Sequence, residues 1–384
     1  METDMKPTIV ISAFEREKSL ARLLKSVAKA LTGDEPIKIV VGRKEGNENV
    51  RRIANNFVEN FPNSEVVHPH AKMSLVDQFL FIGDLTKDEK SIILLEDDLM
   101  VSDSFYDFAS SALDFFKKDT KVGGICLNSL SFNGYTKLPF YPIDDGSDIF
   151  FAQIPFYHGQ AFTKSMWSDF RRWLDKFDGH LNHPSLPPVF RNFPSDEWFP
   201  TMTQFLLEKD KFFAFPRISF AVNFGEPGRH FRKPTEMFQS PLAHFRHEFR
   251  FKKFHDSRSV YDVHQELLPK ILAPSLGISQ AHQLVVDLYG SKHQYFLQSA
   301  ELLLTTKPVH KSEVTFGSAM RPLEENIFNE VHGTFITLTN TDQLKKHPFV
   351  AHIQFAKLLY YHYPMHGINY GKRFKSAVLH RIFS

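Results

Sequence analysis

Three carboxylates stand side by side directly after a short apolar run, within the stretch Ser91–Phe108. The run Ile92–Leu95 has the length of a strand buried on both faces, and Glu96, Asp97 and Asp98 follow it. Three adjacent negative charges repel one another unless a positive charge lies among them. A divalent cation bound by carboxylate oxygens would remove that repulsion, whereas a solvated acidic turn is the plain alternative. The cluster indicates a cation site where α/β sheets bind their ligands, at the carboxyl end of a strand.

A second acidic pair, Asp196 and Glu197, follows a proline-rich loop and opens a predicted helix. If Asp98 holds a cation that neutralises a diphosphate leaving group, a carboxylate beyond the breaking bond can deprotonate an acceptor hydroxyl. Asp196 is the candidate for this general base, and Glu197 is a candidate for orienting the acceptor. The structural alternative is that Ser195 or Asp196 only caps the helix, with Glu197 favourable to the helix dipole.

A cationic cluster lies between these acids and the end of the chain. Arg229, His230, Arg232 and Lys233 follow a segment with two glycines, which predicts a mobile basic loop suited to phosphate. Together with the two acidic motifs, this loop completes a set of parts for glycosyl transfer with inversion.

The elements that must position these groups alternate between strand and helix, which predicts a mostly parallel sheet with flanking helices. No Gly-x-Gly-x-x-Gly or Walker loop occurs, which argues against dinucleotide oxidoreductases and P-loop enzymes. The predicted strands are Pro7–Ala13, Ile37–Val41, Glu65–Val67, Ile92–Leu95, Lys121–Leu127, Asp148–Gln153 and Phe212–Phe215. The segment Pro155–Ala161 places a glycine among aromatic residues, where backbone could approach a ligand.

Composition narrows the class of protein. A net charge of +2 over 384 residues gives no global signal for nucleic acid, so we expect no nucleic-acid partner. Cys126 is the single cysteine, so no disulfide can form within the chain. The sequence shows neither a signal-peptide pattern at its start nor a run of about 18 apolar residues, and we expect a cytoplasmic protein.

The character of the sequence changes near Leu242, and we predict two domains. Residues 1–240 would bind the nucleotide sugar and catalyse the reaction, and residues 241–384 would form a mainly helical extension. The tail carries Lys372, Arg373, Lys375 and Arg381 beside apolar residues, a pattern suited to an anionic membrane surface. A terminal helix packed on the protein is the alternative.

The order of these motifs resembles the GT-A fold glycosyltransferases. More narrowly, it resembles the N-acetylglucosaminyltransferase I family and its bacterial, glycosyltransferase family 2-like relatives, over about Thr8–Lys233. The matching pieces are Glu96-Asp97-Asp98-Leu99 with Phe105-Tyr106, the strand and turn before a Trp-bearing helix in Asp148–Trp167, Asp196-Glu197-Trp198, Pro216-Arg217-Ile218-Ser219 and Phe224-Gly225.

The resemblance implies a role for each matching residue. Asp98 would bind Mn²⁺ (or Mg²⁺), Asp97 would contact the nucleotide sugar with Glu96 beside it, Asp196 would be the base and Arg16 would contact the nucleotide base. Two family contacts to the nucleotide have no counterpart. Lys44 aligns with an Asp that reads uracil, and no His stands near Val76–Asp77. These differences leave the base of the donor open.

The sequence therefore predicts a metal-dependent inverting glycosyltransferase. Its donor would be a nucleotide-diphosphate sugar, UDP-linked and GlcNAc-like, and its acceptor a glycan or lipid-linked glycan in surface polysaccharide synthesis. Two alternatives stay open. A sugar-phosphate nucleotidyltransferase also pairs Asp residues with a metal, but the segment after the first strand, ISAFEREKS, lacks the glycine-rich loop of that class. A non-catalytic protein that binds sugar nucleotides or glycans would need the acids only for structure.

Overall fold

The fold comes from a computed structural model, which describes residues 6–42, 47–69, 71–194, 197–227, 233 and 238–345. Among the helices of these residues, none combines the length and apolar character that crossing a bilayer requires.

Strands and helices alternate through the first part of the chain, as the sequence predicts. The elements up to the acidic cluster are β1 (Thr8–Ala13), α1 (Glu17–Ala30), β2 (Ile37–Val41), α2 (Glu48–Val58), β3 (Ser64–Val67), α3 (Leu75–Asp84), α4 (Thr86–Glu89) and β4 (Ser91–Glu96). Those that follow are β5 (Leu99–Val101), α5 (Phe105–Phe116), β6 (Val122–Cys126), β7 (Ile149–Ala152), β8 (Gln160–Thr163), α6 (Lys164–Leu174), α7 (Trp198–Glu208), β9 (Phe212–Pro216) and β10 (Ala221–Asn223).

A nine-stranded sheet organises this part of the molecule. With the later strand β11 (Val260–Tyr261), its order is β11-β7-β9-β6-β8-β4-β1-β2-β3. Five of the eight strand pairs between described residues are parallel and three are antiparallel. The predicted α/β class with a mostly parallel central sheet is confirmed.

Burial explains why these segments became strands and helices. Every residue of β4 except Glu96 is buried, as expected for a central strand with helices on both faces. The helix α3 begins with a capping box, in which the Ser74 hydroxyl accepts from the Asp77 amide and the Asp77 carboxylate accepts from the Ser74 amide. The core is rich in phenylalanine, which accounts for much of the unusual count of 40 in the sequence.

A small second sheet continues directly from the acidic cluster. β5 pairs with β10 in antiparallel register, so that Leu99 lies opposite Asn223. The turn that enters β5 and the loop that leaves β10 are therefore at the same end of this two-stranded sheet. That loop begins at Phe224 and leads to the predicted basic cluster.

The extension after residue 240 differs from the mainly helical prediction. Its described elements are β11, α8 (Pro269–Leu272), β12 (Leu284–Asp287), α9 (Gln294–Leu297), β13 (Leu302–Thr305), β14 (Val314–Phe316), α10 (Glu325–Phe328) and β15 (Ile336–Asn340). The strands β12-β13-β15-β14 form a four-stranded sheet, and each α-helix there has four residues. The apolar runs are too short for a long helix but suffice for buried strands. Residues 346–384, with the basic tail, lie outside the described residues.

The boundary between residues 240 and 241 stays a prediction, although the chain beyond it contributes to the large sheet. β11 pairs in parallel with β7. Buried residues on both sides of residue 240 also belong to one continuous apolar core.

One buried acid in the extension is expected to make the stability of the protein depend on pH. Glu324, which precedes α10, is 4% exposed. Burial raises the pKa of Glu324 to about 7, and the neighbouring Glu325 charge acts in the same direction. The pKa is raised above its ordinary value of 4.5, so the folded state binds the proton more tightly than the unfolded state. The contribution of this bound proton to the free energy of unfolding is fully present below pH 4.5 and is lost as the pH rises through 7.

We therefore expect Glu324→Gln to remove this pH dependence. Relative to the variant, the wild type should lose on the order of 3 kcal/mol of unfolding free energy between pH 4.5 and pH 8. Urea unfolding at several pH values measures the difference. The exposed Glu301→Gln is the matched control and should change stability by less than about 0.5 kcal/mol at each pH. Parallel pH profiles of the wild type and Glu324→Gln would contradict the assignment.

Candidate active site

The acidic cluster forms a tight turn between β4 and β5, and Arg16 supplies its cation. Arg16 lies at the start of α1, one connection away from the carboxyl end of β1, which pairs with β4. Its guanidinium Nη1 donates to the Asp98 Oδ2, and its Nε lies 3.8 Å from the Asp97 Oδ1. The Phe14 amide donates to the Asp97 Oδ2 at 3.2 Å. The carboxyl ends of two neighbouring parallel strands thus meet at one charge cluster.

A single guanidinium does not balance this much negative charge. Burial raises the pKa of Asp97 to about 6, although Arg16 acts to lower it. Burial, and then the Asp98 charge, raise the pKa of Glu96 well above its ordinary value. Burial acts to lower the pKa of Arg16, yet the Asp98 and Asp97 charges keep it above its ordinary value. The site therefore has an excess of negative charge that favours a further cation.

A turn between β7 and β8 adds Tyr157 and His158 to the same edge of the sheet. The antiparallel pairing of β8 with β4 places Gln160 opposite Leu94, so the residues just before β8 lie beside the end of β4. The Asn223 Nδ2 lies 2.9 Å from the His158 Nε2, which joins this turn to the end of β10. Burial lowers the pKa of His158 to about 4, and the nearby Asp98 charge opposes this effect. The imidazole is therefore neutral.

The second acidic motif also reaches this edge through Glu197. Glu197 is 3% exposed and occupies the N-cap position of α7, where its side chain makes no capping hydrogen bond. Its charge acts on Glu96 and on the Tyr157 hydroxyl, which places all three groups in one electrostatic neighbourhood. The ring of Tyr157 stacks on Phe199 at 4.9 Å between centroids. A simple capping role does not describe Glu197.

The loop after β10 is clamped onto α1 before it reaches the basic cluster. Glu226 accepts two hydrogen bonds from Arg22, both at 2.9 Å, and one from the Ser19 hydroxyl at 2.7 Å. The Arg22 guanidinium also lies 3.6 Å from the ring centroid of Phe224. The stem of the loop is therefore held next to α1, the helix that Arg16 precedes.

The structure brings together five of the eight residues that the sequence singled out: Arg16, Glu96, Asp97, Asp98 and Glu197. The other three, Asp196, Arg229 and His230, lie outside the described residues, and their roles stay predictions. Sequence reasoning did not assign Tyr157, His158, Asn223 or Glu226 to the site. Gly159 was the available signal for the first two.

The residues fit a divalent cation at Asp98. The Asp98 Oδ1 is buried and accepts no hydrogen bond from the described residues, while its other oxygen binds Arg16. No group of three or more His, Cys, Asp or Glu side chains in the described ranges forms a complete cage for a metal. One or two carboxylates completed by substrate phosphates are the usual arrangement for Mg²⁺ with nucleotides.

Comparison with known proteins gives distant likenesses only. No protein-family model and no curated protein matches the chain. Among solved structures, TarS 1–349 of S. aureus shows 12% identity and a TM-score of 0.36, covering 56% of this chain and 60% of that chain. The mannosyltransferase PcManGT from Pyrobaculum calidifontis, in complex with GDP-Man and Mn²⁺, shows 10% identity and a TM-score of 0.34. The match covers 57% of this chain and 61% of that chain.

A third structure, GalNAc-T7 with UDP, GalNAc and Mn²⁺, shows 11% identity and a TM-score of 0.40, covering 56% of this chain and 43% of that chain. The chain thus spans less than two thirds of the length of each of these three structures. At these scores the function has to be inferred from the site's own residues.

We expect the Arg22–Glu226 pair to stabilise the loop stem measurably. A double-mutant cycle with Arg22→Gln and Glu226→Gln should give a coupling of about 1 kcal/mol at pH 7, because the contact is bidentate. Hydrogen bonding to Arg22 lowers the pKa of Glu226 to about 2 from 4.5. The coupling is therefore complete above pH 4.5 and weakens as the pH falls toward 2.

Urea unfolding of the four proteins measures this coupling. The exposed pair Lys117 and Asp114, a monodentate i,i+3 contact at 2.7 Å, serves as the matched control, with an expected coupling below about 0.5 kcal/mol. Equal couplings for the two pairs would show that the clamp adds nothing beyond an ordinary surface contact.

Proposed function

We propose that the chain is a metal-dependent glycosyltransferase of the GT-A type, which moves a sugar from a nucleotide-diphosphate sugar to an acceptor hydroxyl. The observation that carries this proposal is the meeting of Glu96, Asp97 and Asp98 with Arg16 and Glu197 at one edge of the sheet. A donor with a diphosphate and an acceptor with a hydroxyl need different acids, and two separate acidic motifs supply them.

Asp98 would hold a divalent cation, Mn²⁺ or Mg²⁺, through its oxygen that accepts no hydrogen bond from the described residues. When bound, such an ion supplies positive charge to a diphosphate leaving group. Asp97, fixed by the Phe14 amide and close to Arg16, would contact the sugar and ribose portion of the donor. Arg16, which contacts Asp98 and lies close to Asp97, would also contact the nucleotide of the donor.

The acceptor half of the reaction is assigned to the second motif. Asp196 would accept the proton of the attacking hydroxyl as general base, and Glu197 beside it would orient the acceptor. Attack from the face opposite the diphosphate inverts the configuration at the transferred carbon. The buried position of Glu197, close to Glu96 electrostatically, supports an acceptor site that adjoins the donor site.

Finer features of the donor and acceptor follow from the family resemblance. The donor is proposed to be UDP-linked and GlcNAc-like, with Arg229 and His230 contacting its diphosphate. The acceptor is proposed to be a glycan or lipid-linked glycan used for surface polysaccharide. A cytoplasmic location, with the basic tail at the membrane surface, belongs to the same proposal.

Asp98→Ala should abolish metal-dependent binding of a nucleoside diphosphate, because the diphosphate would lose its counter-charge. A screen of nucleotide sugars by Mn²⁺-dependent hydrolysis and thermal stabilisation first identifies the donor. Calorimetry with that nucleoside diphosphate and Mn²⁺ then compares the wild type with the variant. Asp107→Ala, an exposed acid on α5, is the control and should bind as the wild type does. Unchanged affinity in Asp98→Ala would remove Asp98 from the site.

The same screen separates the alternatives. Release of pyrophosphate from a nucleoside triphosphate and a sugar phosphate would identify a nucleotidyltransferase. Binding of nucleotide sugars without hydrolysis or transfer, in the presence of acceptor glycans, would identify a binding protein.

Asp196→Asn should keep donor binding and lower turnover by about 10²–10⁴, because only the proton acceptor is removed. The measurement pairs calorimetry of donor binding with transfer rates at saturating donor. The neighbouring Ser195→Ala, which removes a hydroxyl but no base, should retain turnover. If Asp196→Asn turned over near the wild-type rate, a different residue would be the base.

A further inference from the structure

Tyr157 lies at the junction of the two acidic motifs. It belongs to a three-residue turn in which the Gly159 amide donates to the Tyr157 carbonyl at 2.9 Å. Gly159 has a φ of +87°, and a Cβ there would lie 3.0 Å from the Leu127 Cβ and 3.2 Å from the Ala221 Cβ. Glycine is therefore required at this position, and the turn is held in one conformation against the ends of β6 and β10.

Packing fixes the aromatic ring of Tyr157 independently of its hydroxyl. The ring stacks on Phe199 with an interplanar angle of 10° and meets Trp198 edge-on at 5.1 Å between centroids. Both partners belong to the first turn of α7, immediately after Glu197. The chain direction of β8 places the same turn beside the end of β4, where Glu96 lies.

The hydroxyl of Tyr157 has no structural duty that the described residues reveal. Tyr157 is half-buried, and its hydroxyl donates no hydrogen bond within the part of the chain that the structure describes. Other tyrosines differ: the Tyr135 hydroxyl donates to the Val263 carbonyl at 2.6 Å, and the Tyr106 hydroxyl donates to the Pro7 carbonyl at 3.2 Å.

We propose that the Tyr157 hydroxyl is a substrate contact that hydrogen-bonds the sugar being transferred, between the donor and acceptor halves of the site. This inference rests on the proposed function and goes beyond it, because it assigns recognition of the sugar itself to a residue outside both acidic motifs. The ring of Tyr157 packs on the first two residues after Glu197, and its turn lies beside the end of β4, so a sugar held between the two acidic motifs would adjoin this side chain.

The chemistry of the phenol suits this role. Burial, followed by the Glu197 and Glu96 charges, raises the pKa of Tyr157 above its ordinary value, so the hydroxyl keeps its proton. A neutral phenol both donates and accepts a hydrogen bond, as the hydroxyl groups of a sugar do. Carboxylates alone can only accept, so the phenol adds a donor to a site otherwise rich in acceptors.

Tyr157→Phe tests the inference because it removes one oxygen and keeps the ring. With the nucleotide sugar that the screen identifies, we expect affinity or kcat/KM to fall by about 3- to 10-fold, as for the loss of one hydrogen bond. Affinity for the free nucleoside diphosphate with Mn²⁺ should stay within about 2-fold of the wild type, since that ligand lacks the transferred sugar. The thermal midpoint without ligand reports whether packing is intact.

The control and the outcomes separate this inference from the proposed function. Tyr295→Phe, at a residue 61% exposed on α9, should change neither ligand's affinity. An active wild type with Tyr157→Phe unchanged toward both ligands would overturn the inference and leave the proposed function standing. Equal loss for both ligands would also overturn it, since the contact would then not be with the sugar. A wild type that handles no nucleotide sugar would remove the proposed function, and this inference with it.

Discussion

The ion pair between Arg16 and the acidic turn is the interaction on which the rest of the site depends. Three carboxylates at the end of a buried strand would repel one another strongly in a medium of low polarisability. Arg16 binds Asp98 directly and lies close to Asp97, and the Phe14 amide adds a hydrogen bond to the same group. One cation against three acids stabilises the turn without fully neutralising it. The remaining negative charge is what makes the turn a site for a cation.

Four connections converge on this charge, and each comes from a different part of the chain. The loop after β1 supplies Arg16, and the end of β4 with the turn after it supplies the three acids. The turn before β8 supplies Tyr157 and His158, and Glu197 is the N-cap residue of α7. The short pairing of β5 with β10 adds a fifth connection. It places Asn223 opposite Leu99, next to the acidic turn, and Asn223 contacts His158 there. The parallel strands β1 and β4 end at the same edge of the sheet, and the antiparallel strand β8 begins there, so the topology brings together groups that are far apart in sequence.

Much of this was predictable from the sequence, for identifiable reasons. The strands β1, β2 and β9 are short, mostly apolar runs, so the local pattern located each of them within about one residue. The adjacent acids Glu96, Asp97 and Asp98 indicated a cation site, because their mutual repulsion is unfavourable unless a positive charge lies among them. The pairing of Arg16 with Asp98 joins residues 82 apart, and no local pattern encodes it.

Other features escaped for physical reasons. Tyr157 and His158 have ordinary residue types, and only the three-dimensional turn at Gly159 gives them a place in the site. Glu226 follows a glycine in a loop, and its bidentate contact with Arg22 depends on how α1 packs. In the extension, short apolar runs such as Leu284–Val286 fit either a strand or a short helix, and strand pairing between distant segments decided the outcome.

The pairing of β11 with β7 has a consequence for how the protein can be divided. The Phe151 amide donates to the Ser259 carbonyl at 2.9 Å and the Gln153 amide to the Tyr261 carbonyl at 3.1 Å, while the Asp148 amide donates to the Arg250 carbonyl at 2.8 Å. In a chain that ended at residue 240, β7 would become an edge strand with unpaired backbone groups and exposed phenylalanine side chains. Such an edge is a template for association with other chains. The segment from 250 to 261 acts as a built-in cover for that edge. A shortened chain therefore has to extend past Tyr261 to keep this edge paired.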